Sequence, residues 1–172
     1  AKAVNFGIVY GIGEFSLAKD LGIGVYEARK YIDGYLAHYQ GVKAYMDEIK
    51  NEAYEKGYVS TIFGRRRYIP ELKASNHNIK AFGERVALNT PIQGSAADII
   101  KLAMVRVYRR LKAEGLKSKL ILQVHDELIV EGYEEEIEAV RKLLREEMEH
   151  AAALDVALVA EEKCAKSWYD AK

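Results

Sequence analysis

Two adjacent carboxylates, Asp126 and Glu127, follow His125 in a segment that reads Lys-Leu-Ile-Leu-Gln-Val-His-Asp-Glu-Leu-Ile-Val-Glu from residue 119 to residue 131. Apolar residues alternate on both sides of the polar break, which is the pattern of two half-buried strands. We therefore predict a hairpin with His125 and Asp126 at its tip. Carboxylates on a stiff hairpin suit Mg²⁺, which completes its shell with water and phosphate oxygens. The alternative is a polar loop between two strands.

A cation and two aromatic rings form a second candidate group at the start of the chain. Lys2, Phe6 and Tyr10 fall at i, i+4 and i+8 of a predicted helix that ends near Gly11. Lysine suits the phosphates of a nucleotide, and an aromatic ring suits its base or sugar. Spacing alone favours the alternative, a stripe that faces the core. The helix has no N-cap and the chain no initiating Met, so we expect a fragment of a longer protein.

The composition excludes several classes of protein. The chain has 172 residues, of which 49% are hydrophobic and 30% charged, enough for one domain or two small lobes. It has no long apolar run and no signal peptide, so we expect a soluble protein without a membrane partner. The single cysteine, Cys164, has no partner for a disulfide or a Cys-x-x-Cys site. A reducing, intracellular setting is expected.

Charge is distributed unevenly along the chain although the formal net charge is zero. Residues 1–120 hold 20 Lys and Arg against 12 Asp and Glu, a surplus of 8, and residues 121–172 hold 6 against 14, a deficit of 8. This division favours a protein in which one surface follows a phosphate backbone and another supplies carboxylates to metal ions. The alternative is a solvated acidic helix.

Helical periodicity dominates the first part of the chain. We predict helices over residues 16–21, 25–40 and 41–56, and a short hairpin of residues 58–63 with 68–69. The connecting loop would carry Arg65, Arg66 and Arg67. Three arginines on a loop suit contact with phosphates, and a merely solvated turn is the alternative.

The second part alternates between helices and strands. We expect a loop over residues 72–78, a helix from about Asn78 that stops at Thr90 before Pro91, and a capping box of Ser95 with Asp98 that opens the next helix. Beyond the central hairpin we predict a helix over residues 134–152, packed through Ile137, Val140, Leu144 and Met148, and a last strand over residues 156–163. The fold class is α+β, in which helices pack on one face of an antiparallel sheet.

Three long motifs occur in an order that resembles the family A DNA polymerases. The Lys-x-x-x-Phe-x-x-x-Tyr-Gly string from Lys2 resembles their nucleotide-binding helix, and Val-His-Asp-Glu at 124–127 resembles their carboxylate motif. Between them, residues 85–98 read Arg-Val-Ala-Leu-Asn-Thr-Pro-Ile-Gln-Gly-Ser-Ala-Ala-Asp. The resemblance implies a helical fingers lobe over residues 1–77, followed by the C-terminal part of a palm over residues 78–172.

The resemblance also implies an activity and its partners. The expected reaction is template-directed DNA synthesis, in which a primer 3′ hydroxyl attacks a bound deoxynucleoside triphosphate at two Mg²⁺ ions. The implied metal ligands are Asp126 and Glu127. The implied catalytic and nucleotide-binding residues further include Lys2, Phe6 and Tyr10. The implied DNA contacts are Arg65, Arg66, Arg85, Asn89, Gln93, Gln123 and His125. A cytoplasmic, nucleoid-associated bacterial enzyme is expected.

The family pattern also requires an aspartate upstream of the first helix, which this chain does not contain. We therefore expect the chain to be inactive alone and to need the upstream part of a polymerase chain. By analogy with the family, the resemblance also implies that Phe6, in place of tyrosine, confers discrimination against dideoxynucleotides. Two other classes remain open, a non-catalytic nucleic-acid-binding module and a metal-dependent phosphohydrolase built on Asp126 and Glu127.

Overall fold

A computed structural model describes the backbone of residues 2–171 and the side chains of residues 4–171. The helices and strands are, in chain order, α1 (Lys2–Val9), α2 (Glu14–Leu21), α3 (Val25–His38), α4 (Gln40–Lys56), β1 (Tyr58–Ser60), β2 (Arg66–Tyr68), α5 (His77–Ala113), β3 (Lys119–Val124), β4 (Glu127–Glu131) and α6 (Ile137–Glu149). Short 3₁₀ helices cover Pro70–Lys73 and Glu134–Glu136. This helix-rich fold with two small antiparallel sheets confirms the α+β class.

None of the helices within residues 2–171 is long and apolar enough to cross a membrane.

Packing divides the chain into two compact units, the first through Ser95 and the second from Ala96. The division falls inside α5, so it does not coincide with the end of a secondary-structure element. The predicted functional boundary between residues 77 and 78 stays a prediction, because compactness and functional lobes are different criteria.

The first unit has two apolar clusters. One joins α4, β1 and α5, and its buried members are Ala53, Val59, Ile69, Leu72 and Ala87. The other joins α2 and α3 through Leu17, Ala18 and Ala28. Several tyrosines of this unit lie at its surface, and Tyr26 and Tyr31 on α3 are exposed.

The arginine run lies differently from the prediction. Tyr58 pairs with Tyr68 and Ser60 pairs with Arg66, so Arg66 and Arg67 belong to strand β2 and the loop holds only Arg65. The prediction of three arginines on a loop is therefore wrong. Arg66 and Arg67 lie in a strand and not in the loop, because their backbones pair with Ser60 and Val59 of β1.

Helix α5 is continuous for 37 residues with Pro91 inside it. The predicted stop at Thr90 and the capping box of Ser95 with Asp98 are therefore wrong. Proline removes one backbone N–H from the helix, but nearby hydroxyls donate to carbonyls of the same turn. Thr90 donates to Val86 O over 2.7 Å, and Ser95 donates to Pro91 O instead of capping a helix.

A polar contact braces α4 against α5 in the first unit. The Tyr54 hydroxyl donates to Glu84 Oε1 over 2.7 Å, and Lys50 Nζ lies 3.3 Å from Glu84 Oε2. Burial and the hydrogen bond to Glu84 raise the pKa of Tyr54 to about 12. Burial acts to raise the pKa of Glu84 as well, but the bonds from Tyr54 and Lys50 outweigh it and hold that pKa below its ordinary value.

The second unit is built around the β3–β4 hairpin, which confirms the central prediction from the sequence. Its core brings Val107 and Leu111 of α5 against Val140 and Leu143 of α6, and the hairpin covers them with Leu120, Leu128 and Val130. Leu143 is fully buried, whereas the sequence prediction named Leu144, which lies at the edge of this core. Burying one such side chain stabilises the fold by roughly 1.5–3 kcal/mol.

A β-bulge changes which hairpin residues face the core. The pairing shifts by one position between Leu120 and Leu122, so Ile121 is an extra residue on β3. Strict alternation placed Leu122 on the buried face with Leu120, but 43% of Leu122 is exposed. A shift of one residue moves the side chains that follow to the other face, which explains the error.

Of two predictions for the C-terminal region, one is confirmed and one is wrong. The helix predicted over 134–152 is present as α6, with shorter bounds, and a 3₁₀ turn precedes it. The predicted strand over 156–163 is absent from the described residues, where the sheets have two strands each. A strand requires backbone partners, whereas Ala160 N donates to the side chain of Glu149. Glu162 fixes the same segment to α6 through Arg141 and Arg145.

Candidate active site and nucleic-acid interface

The β3–β4 hairpin ends in a two-residue loop, His125 and Asp126, closed by the pair of Val124 with Glu127. His125 has a φ of 52°, the left-handed region that non-glycine residues seldom adopt. The side-chain amide of Gln123 donates to the His125 carbonyl over 2.7 Å. The tip is therefore fixed by strand pairing on both sides and by a bond across its base.

Asp126 and Glu127 are both exposed at this tip, and neither forms an ion pair with another described residue. Hard oxygen ligands without a competing cation fit a divalent ion such as Mg²⁺. Within residues 4–171, however, no group of three or more His, Cys, Asp or Glu side chains is arranged to hold a metal. The pair by itself therefore offers two carboxylates and no third ligand of these types among the described residues.

Helix α1 presents a stacked aromatic pair. The rings of Phe6 and Tyr10 lie 6.1 Å apart with an angle of 26° between their planes. Phe6 is 52% exposed, whereas Ile8 between them is buried. The face is therefore open, and it does not form the core stripe that spacing alone favoured. The side chain of Lys2, expected on this face, lies outside the described residues.

The turn after helix α1 brings the backbone of Gly11 close to side chains of α5. Gly11 has a φ of +81°, and a Cβ atom at this position would lie 2.8 Å from Leu88 Cδ1 and 3.5 Å from Arg85 Cγ. Only glycine fits both the conformation and the space. The aromatic pair of α1 is thus joined to the part of α5 that carries Arg85.

The predicted DNA contacts on α5 share one side of an unbroken helix. Arg85, Asn89 and Gln93 follow one another at intervals of four residues, so they form a polar stripe. Arg85 and Gln93 are exposed, and Asn89 is half-buried with its Oδ1 atom enclosed and without a hydrogen bond from the described residues. Asn89 and Gln93 do not satisfy backbone groups at a helix break, because α5 is continuous through Pro91.

The β1–β2 hairpin is fastened to the same helix. Arg65 Nη2 donates to Gly94 O over 3.0 Å, and Ile62 N donates to Ser95 Oγ over 3.0 Å. Arg67 Nη1 reaches Thr90 Oγ1 at 3.4 Å. The hairpin therefore lies beside the polar stripe of α5 and does not project as a solvated turn.

Sequence reasoning missed two aromatic residues of this hairpin. Tyr58 and Tyr68 are a cross-strand pair with ring centroids 5.4 Å apart, and Arg66 lies 4.9 Å above the Tyr58 ring. The sequence offered one signal for this pair, because the two tyrosines lie ten residues apart on either side of Gly64. Pairing register was needed to see that they meet.

Comparison with known proteins adds independent evidence. The family model described as DNA polymerase family A matches residues 1–170. The chain is 59% identical over its whole length to DNA polymerase I of Bacillus subtilis and 54% identical to DNA polymerase I of Geobacillus stearothermophilus, covering 20% of each relative. It thus spans about a fifth of the curated relatives that it matches.

A solved structure shares the fold. The polymerase domain of Pol1 from M. smegmatis, in complex with DNA primer-template and dNTP, superposes with a TM-score of 0.88 and 46% sequence identity. The match covers 91% of this chain and 28% of that one. The agreement of family model, relatives and fold over nearly all residues establishes that the chain belongs to DNA polymerase family A.

Proposed function

We propose that this chain is the nucleotide-binding and carboxylate-bearing part of a DNA-directed DNA polymerase that extends a primer on a DNA template. One observation carries the proposal: Asp126 and Glu127 stand exposed and unpaired on a rigid hairpin in a chain of this family. The proposed partners are primer-template DNA, a deoxynucleoside triphosphate and an upstream polymerase segment. The proposed location is the bacterial cytoplasm, in association with the nucleoid.

The proposed reaction joins a nucleotide to the primer. The primer 3′ hydroxyl attacks the α-phosphorus, a phosphodiester bond forms, and the bond to the β-phosphate breaks so that pyrophosphate leaves. Asp126 would hold Mg²⁺, and Glu127 would support it as the less constant ligand. Bound Mg²⁺ supplies charge neutralisation on the triphosphate and lowers the pKa of the attacking hydroxyl. The proposal rests on the free carboxylate oxygens at the tip.

The remaining residues bind and orient the substrates in this proposal. Lys2 neutralises charge on the triphosphate, Phe6 packs on the incoming nucleotide, and Tyr10 lies at the templating position. The stacked pair of exposed Phe6 and half-buried Tyr10 supports these roles. Gln123 and His125 lie near the primer end at the hairpin tip.

Contacts with DNA are proposed for the polar stripe of α5 and for the β1–β2 hairpin. Arg85, Asn89 and Gln93 contact the minor groove of primer-template DNA, and Arg65 and Arg66 contact phosphates. The unbroken helix that aligns the stripe supports the first assignment.

Residues 1–172 alone are proposed to be inactive, because two adjacent carboxylates do not complete a site for two divalent ions.

The experiment is a chimera. The chain replaces the matching segment of DNA polymerase I from Bacillus subtilis, the relative with which it is 59% identical over 172 residues. Template-directed primer extension with Mg²⁺ is measured for the chimera and for the isolated chain. We expect extension by the chimera only, and a loss of at least about 100-fold in the Asp126→Asn variant.

Glu131→Gln is the matched control, because Glu131 is an exposed carboxylate at the other end of β4. It should leave extension within about twofold. Extension by the isolated chain would disprove the split metal site. Cleavage of DNA without a template would favour a phosphohydrolase, and template binding with no extension in the chimera would favour a non-catalytic binding module.

A further inference from the structure

The β1–β2 hairpin has two faces of opposite character. Alternate residues of a strand point to opposite sides, and Val59 on one side is fully buried in the core of the first unit. Tyr58, Arg66 and Tyr68 therefore share the outward side, together with Ser60. We call Tyr58, Arg66 and Tyr68 the outer hairpin face.

The outer hairpin face combines aromatic rings with a free cation. Tyr68 is 68% exposed, and its ring centroid lies 5.4 Å from that of Tyr58 with 60° between the planes. The Arg66 guanidinium lies 4.9 Å from the Tyr58 ring. Arg66 forms no ion pair with any residue that the structure describes. An open π-surface next to an unneutralised guanidinium suits a ligand with both flat rings and negative charge.

The other two arginines of the run have structural partners. Arg65 donates to Gly94 O and Arg67 reaches the Thr90 hydroxyl, so both hold the hairpin on α5. Arg66 is the arginine left to face outward. The segment from 61 to 70 contains these three arginines and no acidic residue, so its charge complements a polyanion.

The anchors of the hairpin also place the outer hairpin face near the candidate DNA contacts of α5. Arg67 and Arg65 contact Thr90 and Gly94 of α5. Thr90 directly follows Asn89, and Gly94 directly follows Gln93, so both contacts lie next to the polar stripe. The outer hairpin face is therefore carried by an element fastened to the proposed DNA-binding helix. A nucleic acid that follows this helix can reach it.

We propose that the outer hairpin face binds single-stranded template DNA, with an unpaired base stacked on Tyr68 and a phosphate held by Arg66. Only an unpaired base exposes a ring face, since the faces of paired bases are covered by their neighbours in a duplex. Stacking accepts any base, so the site has no sequence preference. The inference rests on the proposed function for the source of the strand, but it concerns binding and needs no chemistry.

The test measures binding without catalysis. The chimera is titrated into fluorescently labelled oligo-dT in EDTA without nucleotides, and anisotropy gives Kd. Tyr68→Ala should weaken binding about five- to tenfold, because stacking on an aromatic ring is worth at least about 1 kcal/mol per base. Tyr68→Phe should bind like the parent. Tyr68→Leu keeps apolar bulk without a π-face and should bind like Tyr68→Ala, which separates stacking from hydrophobic contact.

Arg66→Gln tests the phosphate contact. It should reduce the slope of log affinity against log salt by about 0.7, the value for one contact to a single strand. Tyr26→Ala is the matched control, because Tyr26 is 73% exposed and carries Lys30 4.8 Å from its ring centroid, but on helix α3. Its affinity should remain that of the parent.

The possible outcomes separate the two proposals. Equal affinities for Tyr68→Ala and the parent, or an equal loss in Tyr26→Ala, would overturn the inference. A chimera that extends primers but shows one of these results removes this inference alone. A chimera that binds oligo-dT through Tyr68 but extends no primer removes the proposed function and leaves the binding site.

Discussion

The side-chain amide of Gln123 donates a 2.7 Å hydrogen bond to the backbone carbonyl of His125. This bond spans the base of the loop in which His125 adopts a φ of 52°. A left-handed conformation costs a non-glycine residue roughly 1–2 kcal/mol, so the surrounding structure must hold it. Gln123 thus stabilises the backbone that presents Asp126.

Replacing Gln123 should loosen the hairpin tip without unfolding the unit. Gln123→Ala removes one exposed hydrogen bond, and we expect a loss of about 0.5–1.5 kcal/mol in unfolding free energy. Hydrogen exchange at the amides of residues 124–127 should accelerate. Gln123→Met keeps the length of the side chain without the donor and should behave like Gln123→Ala. Unchanged exchange in both variants would show that the bond does not hold the tip.

The end of α1 provides a prediction about packing. Gly11→Ala should destabilise the chain by about 2–4 kcal/mol in urea denaturation, because it combines a left-handed alanine with a methyl group forced against Leu88. Gly13→Ala is the control. Its φ is −83° and nothing lies within 4 Å of an added Cβ atom, so the cost should stay within about 0.5 kcal/mol. Equal effects of the two changes would contradict the close approach of α1 to α5.

The packing of the β1–β2 hairpin against α5 can be tested by a second substitution that restores stability lost in a first. A Cβ atom at Gly94 would lie 2.8 Å from Thr61 Cγ2, so Gly94→Ala should cost about 1–3 kcal/mol of unfolding free energy. Thr61→Ser removes that methyl group and keeps the hydroxyl that accepts from Arg65 N over 3.2 Å. The double variant should recover most of the loss. Additive costs would mean that the two side chains do not meet.

Stability should depend on pH through Tyr54 and Glu84. The raised pKa of Tyr54 stabilises the folded state fully below the ordinary value of 10.0, and this contribution is lost as pH rises toward about 12. The lowered pKa of Glu84 stabilises the fold above the ordinary value of 4.5, and this contribution is lost as pH falls through the lower folded value. Urea denaturation across these two ranges measures both limbs.

Tyr54→Phe separates the two limbs of this pH dependence. It removes the titrating hydroxyl, so the decline above pH 10 should flatten. The acid limb should shrink but persist, because Lys50 still lies 3.3 Å from the Glu84 carboxylate. An alkaline decline as steep as that of the parent chain would assign the effect to other groups.

Local patterns in the sequence predicted much of this fold. Period-two alternation located the β3–β4 hairpin and placed His125 and Asp126 at its tip, and Gly11 marked the end of α1. These features depend on a few neighbouring residues. Interactions over longer separations decided the rest. Pro91 predicts a break, but hydroxyls and tertiary packing keep α5 whole.

The residues of the candidate site also divide into those that local sequence patterns identified and those that only the structure shows. Residue types at fixed spacing identified Asp126, Glu127, Phe6 and Tyr10, because each motif lies within one element. The outer hairpin face was not predictable, since Tyr58 and Tyr68 meet only through strand register. The strand predicted over 156–163 failed for a related reason, because apolar composition cannot specify a backbone partner.

The carboxylate of Glu136 has a consequence for the order of folding. Its two oxygens accept from the backbone amides of Lys117 and Ser118 at 2.9 Å each, and Oε2 also accepts from the Ser118 hydroxyl at 2.6 Å. That hydroxyl accepts in turn from Tyr133 N. The carboxylate therefore closes a short stretch of chain around the whole β3–β4 hairpin. Short closures cost little entropy, so this closure can form early, and the segment that presents Asp126 can acquire its shape before contacts between residues more distant in the chain form.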